Sequence, residues 1–227
     1  MRSSETPVKV WDAPVRLFHW TLVLLVVFMY VTAQLKGDWM TWHMRSGYAI
    51  LALVFFRILW GFAGSSTARF SSFLAGPAAC LRFAQRLLKR EPAAFASHNP
   101  LGGWMVVALL AALLVQAGTG LFANDDIATE GPLAGLVSKE MSDRLSTIHY
   151  WNFNGLLLLV GLHVAAVLYH WGLLKENLIG AMFTGVKRLP ADAAAGGVAA
   201  RFASPWLALA LLAVAALAVY LIVIRPF

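Results

Sequence analysis

Cysteine is nearly absent from this chain: its 227 residues include one, Cys80. A single cysteine excludes an internal disulfide, an iron–sulfur cluster held by four thiolates and the C-x-x-C-H attachment of a c-type haem. A lone cysteine of this kind is usually a buried thiol without chemistry of its own. A haem in this protein would therefore be bound noncovalently.

Charged residues are also scarce, at 13% of the chain, whereas 60% of the residues are hydrophobic. Apolar runs of about eighteen residues or more predict membrane-spanning helices. Five runs reach this length, at residues 17–35, 44–64, 101–123, 146–170 and 204–224. The sequence thus predicts an all-α integral membrane protein. The first run has no clear small-x-small cleavage motif, so we expect it to be retained as a helix.

The few charges are distributed asymmetrically. Most cations precede the first run or follow the second and fourth: Arg2, Lys9, Arg16, Arg69, Arg82, Arg86, Lys89, Arg90, Lys175, Lys187, Arg188 and Arg201. Most acids lie in the loops on the opposite side: Asp38, Asp125, Asp126, Glu130, Glu140 and Asp143. The positive-inside rule predicts a cytoplasmic N-terminus and a periplasmic C-terminus. The net charge of +7 therefore reports topology and does not indicate nucleic-acid binding.

Three connecting segments carry local signals. Residues 76–92 alternate basic and apolar side chains, which favours a short helix on the inner leaflet over a solvated basic loop. The outer loop predicts a short helix near residues 133–138. Residues 191–200 have the composition of a flexible linker, so we divide the chain into a domain at 1–190 and a linker with a fifth helix at 191–227.

Histidine spacing is the strongest chemical signal. His149 and His163 lie fourteen residues apart on the fourth apolar run. Fourteen residues of α-helix bring two side chains to nearly the same face, about 21 Å apart along the axis. One metal ion cannot bind both rings, because metal–imidazole bonds are about 2 Å long. The spacing predicts two centres at different depths of the membrane.

Two further histidines match these depths. His19 lies near the inner end of the first run and His43 near the outer end of the second, so the predicted pairs are His19 with His163 and His43 with His149. Two neutral imidazoles facing each other are the ligands of a six-coordinate haem, a flat apolar group that fits inside a helix bundle. The pattern favours two haems; the alternative is a proton-transfer chain.

Neighbouring residues add weaker signals. Gly47 follows His43 by one turn, and Gly155 and Gly161 lie between the two histidines of the fourth run. These glycines either make space for a porphyrin or pack helices together. Arg57 lies fourteen residues after His43. Its guanidinium is predicted to bind a propionate of the inner haem, or else to snorkel towards lipid headgroups.

His170 lies seven residues beyond His163, about 10 Å nearer the inner surface. Its candidate roles are binding a propionate, binding a quinone, moving protons or anchoring the helix at the interface. A quinone that reacts near the inner haem would have its carbonyl oriented, or its protons transferred, by His170 and Arg16; reaction at the outer haem is the alternative. His98 is predicted to be a surface or capping residue.

Several stretches resemble the bacterial cytochrome b561 family, which includes the b-type subunits of nickel–iron hydrogenases. They are WDAPVRLFHW, WHMRSGYAIL, FRILWGFAGSSTARFSSFLAGP, HNPLGGW, TGLFANDD, IHYWNF and GLHVAAVLYH, within residues 8–190. The resemblance implies a four-helix haem-binding bundle in the inner membrane, with a fifth helix added. It also implies two b-type haems on His19, His43, His149 and His163.

The resemblance further implies electron exchange between membrane quinone and a redox partner. Members similar to this one are associated with periplasmic c-type cytochromes, which makes such a cytochrome, or another periplasmic redox protein, the expected partner. Two alternatives are a superoxide:quinone oxidoreductase and a membrane anchor for a hydrogenase or another dehydrogenase. The acidic outer loops disfavour attraction of superoxide, although Lys36, Arg45 or Arg144 could supply a local positive charge.

The outer acids also suggest a surface for a partner. Asp125, Asp126 and Glu130 are concentrated in the loop near the predicted outer haem. Carboxylates at such a place would attract a cationic protein and raise its encounter rate, or they would only reflect topology. Assembly of several copies into a homo-oligomer is left open by the sequence.

Overall fold

The computed structural model describes residues 5–35, 37–91, 95, 97–127, 129–190 and 200–224. Its helices are α1 (Ala13–Leu35), α2 (Trp39–Ala63), α3 (Phe70–Phe73), α4 (Pro77–Leu88), α5 (Pro100–Gly120), α6 (Lys139–Gly172), α7 (Leu178–Thr184) and α8 (Pro205–Ile224). Two strands, β1 (Glu5–Lys9) and β2 (Val186–Pro190), pair with each other. Short 3₁₀ turns occupy Ser66–Ala68 and Ala134–Leu136.

Five helices, α1, α2, α5, α6 and α8, are long and apolar enough to cross a membrane. The prediction of an all-α membrane protein with five spans is therefore confirmed. Three helices begin several residues before their apolar run, and the largest difference is in α6, which starts at Lys139. Its first turns are polar, so a hydropathy criterion cannot detect them although their backbone is helical. At 34 residues, α6 is about 51 Å long and exceeds the hydrocarbon thickness of about 30 Å.

The chain divides into two compact units. The first unit comprises residues 1–17, 59–107 and 160–208, and the second comprises residues 18–58, 108–159 and 209–227. Residues 191–199 of the linker predicted at 191–200 lie outside the described residues, as do Arg2, Lys36 and the terminal residues 225–227. The domain boundary at residue 190 consequently stays a prediction.

The first unit contains an antiparallel ribbon that the sequence did not predict. Glu5 pairs with Pro190 and Lys9 with Val186, so β1 and β2 are joined along their whole length. Gly185, just before β2, has a φ of +82°, and its carbonyl accepts hydrogen bonds from the backbone N–H groups of Val10 and Trp11 at 2.8 and 3.1 Å. The ribbon thereby ties the N-terminal segment to the chain that follows α7.

Asp12 connects this ribbon to the start of α1. One carboxylate oxygen accepts the backbone N–H of Val15 at 2.8 Å, the N-cap bond of the helix, and the other accepts the indole N–H of Trp60 at 3.0 Å. Both Asp12 and Trp60 are buried. The WDAP stretch therefore fixes where α1 begins, two turns before His19.

Helix α4 is the predicted basic segment. Phe83 is buried, whereas Leu81 and Leu88 are 62% and 84% exposed beside the exposed cations. The hydroxyl of Tyr169, near the end of α6, donates to the Leu87 carbonyl at 2.8 Å and holds the end of α4. The helix is confirmed, and apolar side chains exposed next to arginines suit a membrane surface, which stays a prediction.

The second unit has its buried centre where three helices meet. Leu51, Leu121 and Val219 form a cluster that includes α8, so the fifth spanning helix packs against α2 and the residue that follows α5. The outer loop folds back on the end of α5, and the N–H of Leu133 donates to the Leu121 carbonyl at 2.9 Å. Its 3₁₀ turn at Ala134–Leu136 falls within the short helix predicted at 133–138.

Candidate cofactor site

His43 of α2 and His149 of α6 face each other within the second unit. Their ring centroids are 6.4 Å apart and their planes are inclined by 71°. Two imidazole nitrogens bound to opposite sides of one iron, at about 2 Å each, place the ring centroids about 6 Å apart. The observed 6.4 Å is compatible with one iron between the two rings, and it also lies within the range of an ordinary edge-to-face ring pair.

The hydrogen bonds of the two rings identify the nitrogens that are available. Nδ1 of His43 lies 3.0 Å from the Met29 carbonyl, and Nδ1 of His149 lies 2.9 Å from the Gln116 carbonyl. A carbonyl oxygen can only accept, so each Nδ1 carries the proton. Each Nε2 then keeps its lone pair, as a metal-binding imidazole requires, and a backbone carbonyl holds the ring in orientation.

Further contacts position His149 against α5. A Cβ at Gly120 would lie 3.0 Å from Cε1 of the His149 ring, so glycine allows the ring to approach this helix. The Asn152 amide donates to the Gln116 side chain at 2.7 Å and to the Ala112 carbonyl at 2.9 Å, one turn from the histidine. None of these residues was predicted; a glycine near a helix end gives no signal of its own.

The glycines that were predicted have less restrictive surroundings. A Cβ at Gly47 would meet the Met29 side chain at 3.6 Å, an ordinary contact distance, and at Gly155 and Gly161 it would meet nothing within 4 Å of the described atoms. Both of these glycines lie on exposed parts of α6. The protein's own packing does not require glycine at these three positions.

The inner histidines fall in different units. His19 lies in α1, six residues after the helix begins, and belongs to the second unit; His163 lies in α6 and belongs to the first. The single helix α6 carries both His149 and His163, as the fourteen-residue spacing requires. The pairing of His19 with His163 stays a prediction.

The two predicted arginines differ in exposure, since Arg57 is buried and Arg16 is partly exposed. Arg57 of α2 is 3% exposed, whereas snorkelling to a headgroup would leave it accessible. Arg16 of α1 donates from Nη1 to the carbonyl of Phe183, in the last turn of α7. A Cβ at Gly185 would lie 2.7 Å from the Trp11 carbonyl oxygen and 3.4 Å from the arginine Nε, so the backbone of Trp11, and not the arginine, excludes a side chain there.

His170 is part of a group of ionisable side chains near the end of α6, which we name the His170 cluster: His170 and Lys187, which are buried, and Glu176, which is partly buried. Nδ1 of His170 lies 2.6 Å from one Glu176 oxygen, and the Lys187 ammonium lies 2.5 Å from the other. Lys187 also donates to the Phe95 carbonyl at 2.8 Å. A role for His170 as an exposed interfacial anchor does not agree with a side chain that is 8% exposed.

Asn99 contacts the His170 cluster and also has the helix-capping role that was predicted for His98. Its side-chain oxygen caps α5 by accepting the Gly102 N–H at 2.7 Å, which turns its amide nitrogen towards Nε2 of His170 at 3.5 Å. His98 instead packs between Trp11 and Phe73, with ring centroids 4.7 Å from each. The capping role predicted for His98 falls to Asn99, and His98 itself is partly exposed between the two aromatic rings.

The donor set also bears on the kind of cofactor. No group of three or more histidine, cysteine, aspartate or glutamate side chains with metal-binding geometry occurs among residues 5–224 where these are described. A haem needs only two axial protein ligands, because its porphyrin supplies four nitrogens. Facing imidazoles on apolar helices are therefore the arrangement of a b-type membrane cytochrome.

Comparison with known proteins agrees with this class. The sequence profile of the prokaryotic cytochrome b561 family matches residues 10–185, and the chain belongs to that family. Its membership identifies a multi-pass membrane protein that binds b-type haem and carries electrons. The resemblance noted from the sequence motifs is confirmed.

Two relatives have related names. A Bradyrhizobium diazoefficiens protein, named as a probable Ni/Fe-hydrogenase B-type cytochrome subunit, is 22% identical over 214 residues, which cover 80% of this chain and 86% of that protein. A Rhodobacter capsulatus protein of the same name is 22% identical over 228 residues, covering 83% of this chain and 84% of the relative. No solved structure matches the chain.

Proposed function

We propose that this protein is a dihaem b-type electron carrier of the bacterial inner membrane, with a cytoplasmic N-terminus. His43 and His149 hold an outer haem, and His19 and His163 hold an inner one. The chain exchanges electrons between membrane quinone and a periplasmic redox protein such as a c-type cytochrome. When bound, each haem supplies a one-electron redox change at its iron.

The outer imidazole pair carries this proposal. Its centroid separation of 6.4 Å fits an iron between the rings, and both Nδ1–H groups are directed at backbone carbonyls. A proton-transfer chain, the alternative considered from the sequence, needs rings that can release protons to one another. Each ring's Nδ1–H is already hydrogen-bonded to a backbone carbonyl, which favours a role as a metal ligand over a role as a proton carrier.

We place the quinone reaction at the inner side, near His163, Arg16 and His170. Quinone reduction consumes protons as well as electrons, so a quinone site needs titratable side chains close to it. The His170 cluster supplies an imidazole and a carboxylate in contact at 2.6 Å. Arg16, fixed by the Phe183 carbonyl, brings a cation to the same unit and suits a quinone oxygen or a haem propionate.

Electron transfer in liposomes tests this function. The purified protein is reconstituted, a lipid-soluble quinol is added, and visible spectra follow reduction of haem b and of an external c-type cytochrome. We expect both to be reduced, and we expect His170→Gln, which keeps a donor for Glu176, to slow haem reduction while the haem spectra are unchanged. Unaltered quinol-driven reduction in that variant would overturn the inner quinone site.

The names of the relatives favour a second candidate, the membrane subunit of a hydrogenase. In this case the electron donor is a peripheral dehydrogenase and quinone is the acceptor. Copurification from native membranes distinguishes the two: a bound hydrogenase supports the second candidate, and a bound c-type cytochrome supports the first.

A further inference from the structure

Two buried threonines repeat one arrangement beside the outer histidines. The Thr32 hydroxyl of α1 is within 3.0 Å of both the Phe28 and the Met29 carbonyls. Met29 supplies the carbonyl that accepts the His43 Nδ1–H. The carbonyl three residues before the threonine therefore serves the hydroxyl and the imidazole together.

Helix α5 contains the same arrangement. The Thr119 hydroxyl lies 2.7 Å from the Val115 carbonyl and 3.2 Å from that of Gln116. Gln116 supplies the carbonyl that accepts the His149 Nδ1–H. Both threonines are buried, and Thr32 has no exposed surface at all.

Threonine hydroxyls in helices commonly bond to the carbonyl of the preceding turn, so this contact alone would have a structural explanation. Thr147 of α6 shows the ordinary case, since its hydroxyl donates to the Asp143 carbonyl at 2.9 Å and no histidine contact to that carbonyl is among the described bonds. Thr32 and Thr119 differ because each donates to the oxygen that also holds a candidate ligand. The coincidence occurs once for each ring of the pair.

When one carbonyl oxygen accepts both the threonine hydroxyl and the histidine Nδ1–H, the hydrogen bond to the imidazole changes in strength. A helix carbonyl already accepts the N–H four residues later, and it has two lone pairs. A threonine hydroxyl as a further donor weakens its bond to the histidine Nδ1–H. A weaker bond leaves the imidazole a poorer electron donor to the metal, and hydrogen bonding around a haem ligand is one of the factors that set the reduction potential.

We propose that Thr32 and Thr119 are positioning residues that raise the reduction potential of the outer haem through the Met29 and Gln116 carbonyls. This inference rests on the proposed role of His43 and His149 as haem ligands. Thr32 acts through the carbonyl alone. The Thr119 hydroxyl also lies 3.3 Å from the His149 Nδ1, for which it is a second hydrogen-bond acceptor. Removing this hydroxyl would strengthen the bond from His149 to the Gln116 carbonyl and would also delete the second acceptor. These two changes have opposite effects on the imidazole.

Potentiometry of the purified protein with both haems bound tests the proposal, with electron paramagnetic resonance to distinguish the haems. Thr32→Val keeps the side-chain shape and removes the hydroxyl. We expect the reduction potential of the outer haem to fall by about 30–60 mV, which is a threefold to tenfold shift towards the oxidised form at a fixed potential. A change of this size corresponds to one hydrogen bond of ordinary strength. Thr119→Val should shift it by less.

Three comparisons separate this effect from a change of structure. Thr32→Ser retains the hydroxyl and should restore the wild-type potential, and Thr147→Val should leave it unchanged. If Thr32→Val does not fold, Thr32→Ala takes its place, and we expect the same shift in reduction potential. An unmoved potential in the valine and alanine variants, or an equal shift in the serine variant, would overturn the inference.

The ligand assignment is checked separately with His43→Ala. If this variant keeps both haems, the proposed ligand set fails and the threonine proposal fails with it. If it loses one haem while Thr32→Val leaves the potential unchanged, the ligand set stands and only the role of Thr32 is rejected.

Discussion

The position of one proton on each outer histidine decides whether the ring can bind a metal. Backbone carbonyls of Met29 and Gln116 fix these protons on Nδ1. The sequence could indicate the histidines, because helical periodicity relates spacing to depth. It could not indicate their partners, since every residue has a carbonyl and no side-chain identity marks the one that is used.

Gly120 provides a direct test of ring placement. Gly120→Ala should disturb the outer haem, because the added Cβ would lie 3.0 Å from the His149 ring and displace it. We expect weaker outer-haem binding, measured as haem b per chain and as a changed paramagnetic resonance signal. Gly118→Ala on the same helix is the control, since its Cβ would meet nothing within 4 Å. Equal spectra for the two variants would contradict the described packing.

Asp12 should matter for stability. Asp12→Ala removes the N-cap of α1 and leaves the buried Trp60 indole N–H without its acceptor, so we expect a loss of about 2–4 kcal/mol in unfolding free energy. Asp12→Asn keeps an oxygen for the cap and should lose less. Thermal unfolding followed by haem release measures both, and an alanine variant as stable as the wild type would refute the role.

At the level of helices and strands, hydropathy was enough to predict all five spans but not the β1–β2 ribbon. Pro7 and Pro190 interrupt any regular strand pattern, and they are tolerated because a two-stranded ribbon leaves outer edges unpaired. Lys187 shows a similar limit. The sequence counts it as a cytoplasmic surface charge, whereas the structure buries it beside Glu176 because the ribbon brings the two together.

The Glu176 carboxylate should make this part of the fold sensitive to acid. Burial raises the pKa of Glu176, but the hydrogen bond with His170 and the charge of Lys187 outweigh burial and hold the pKa below its ordinary value of 4.5. A lowered folded-state pKa stabilises the protein above about pH 4.5, and this stabilisation is lost as the pH falls through the folded-state value.

Glu176→Gln should therefore lose about 3 kcal/mol at neutral pH, because Lys187 is left buried without its carboxylate, and its stability should vary less between pH 5 and 3. Thermal unfolding across this range measures both effects. Replacing Lys187 by Met in the same variant should recover part of the loss. An unchanged acid dependence in Glu176→Gln would show that the ion pair does not stabilise the fold.

At the scale of the whole molecule, the surface predicted to face the periplasm is less acidic than the sequence suggests. Lys139 contacts both Asp126, at 2.5 Å, and Asp143. Asp125 has a structural role, since one of its oxygens accepts the backbone N–H groups of Ile127 and Thr129 at 3.0 and 2.8 Å. Of the three loop acids predicted to attract a cationic partner, Glu130 and the exposed part of Asp126 then remain available.

The variant Asp126→Asn/Glu130→Gln should slow electron transfer to a soluble c-type cytochrome by a few-fold at low salt and flatten its dependence on ionic strength, because charge mainly affects encounter. Stopped-flow spectroscopy measures the rate. Glu91→Gln, in the basic segment after α4, is the control. The docking role would be rejected if rate and salt dependence were the same in all three proteins.

Haem content after combined histidine substitutions tests the central claim most directly. If His43 with His149 and His19 with His163 form the two sites, each single alanine variant should retain one haem b per chain. The double variant within one pair should also retain one, whereas His19→Ala combined with His43→Ala should retain none. A haem that remains in this last variant, or loss of both haems when His43 and His149 are replaced together, would contradict the account.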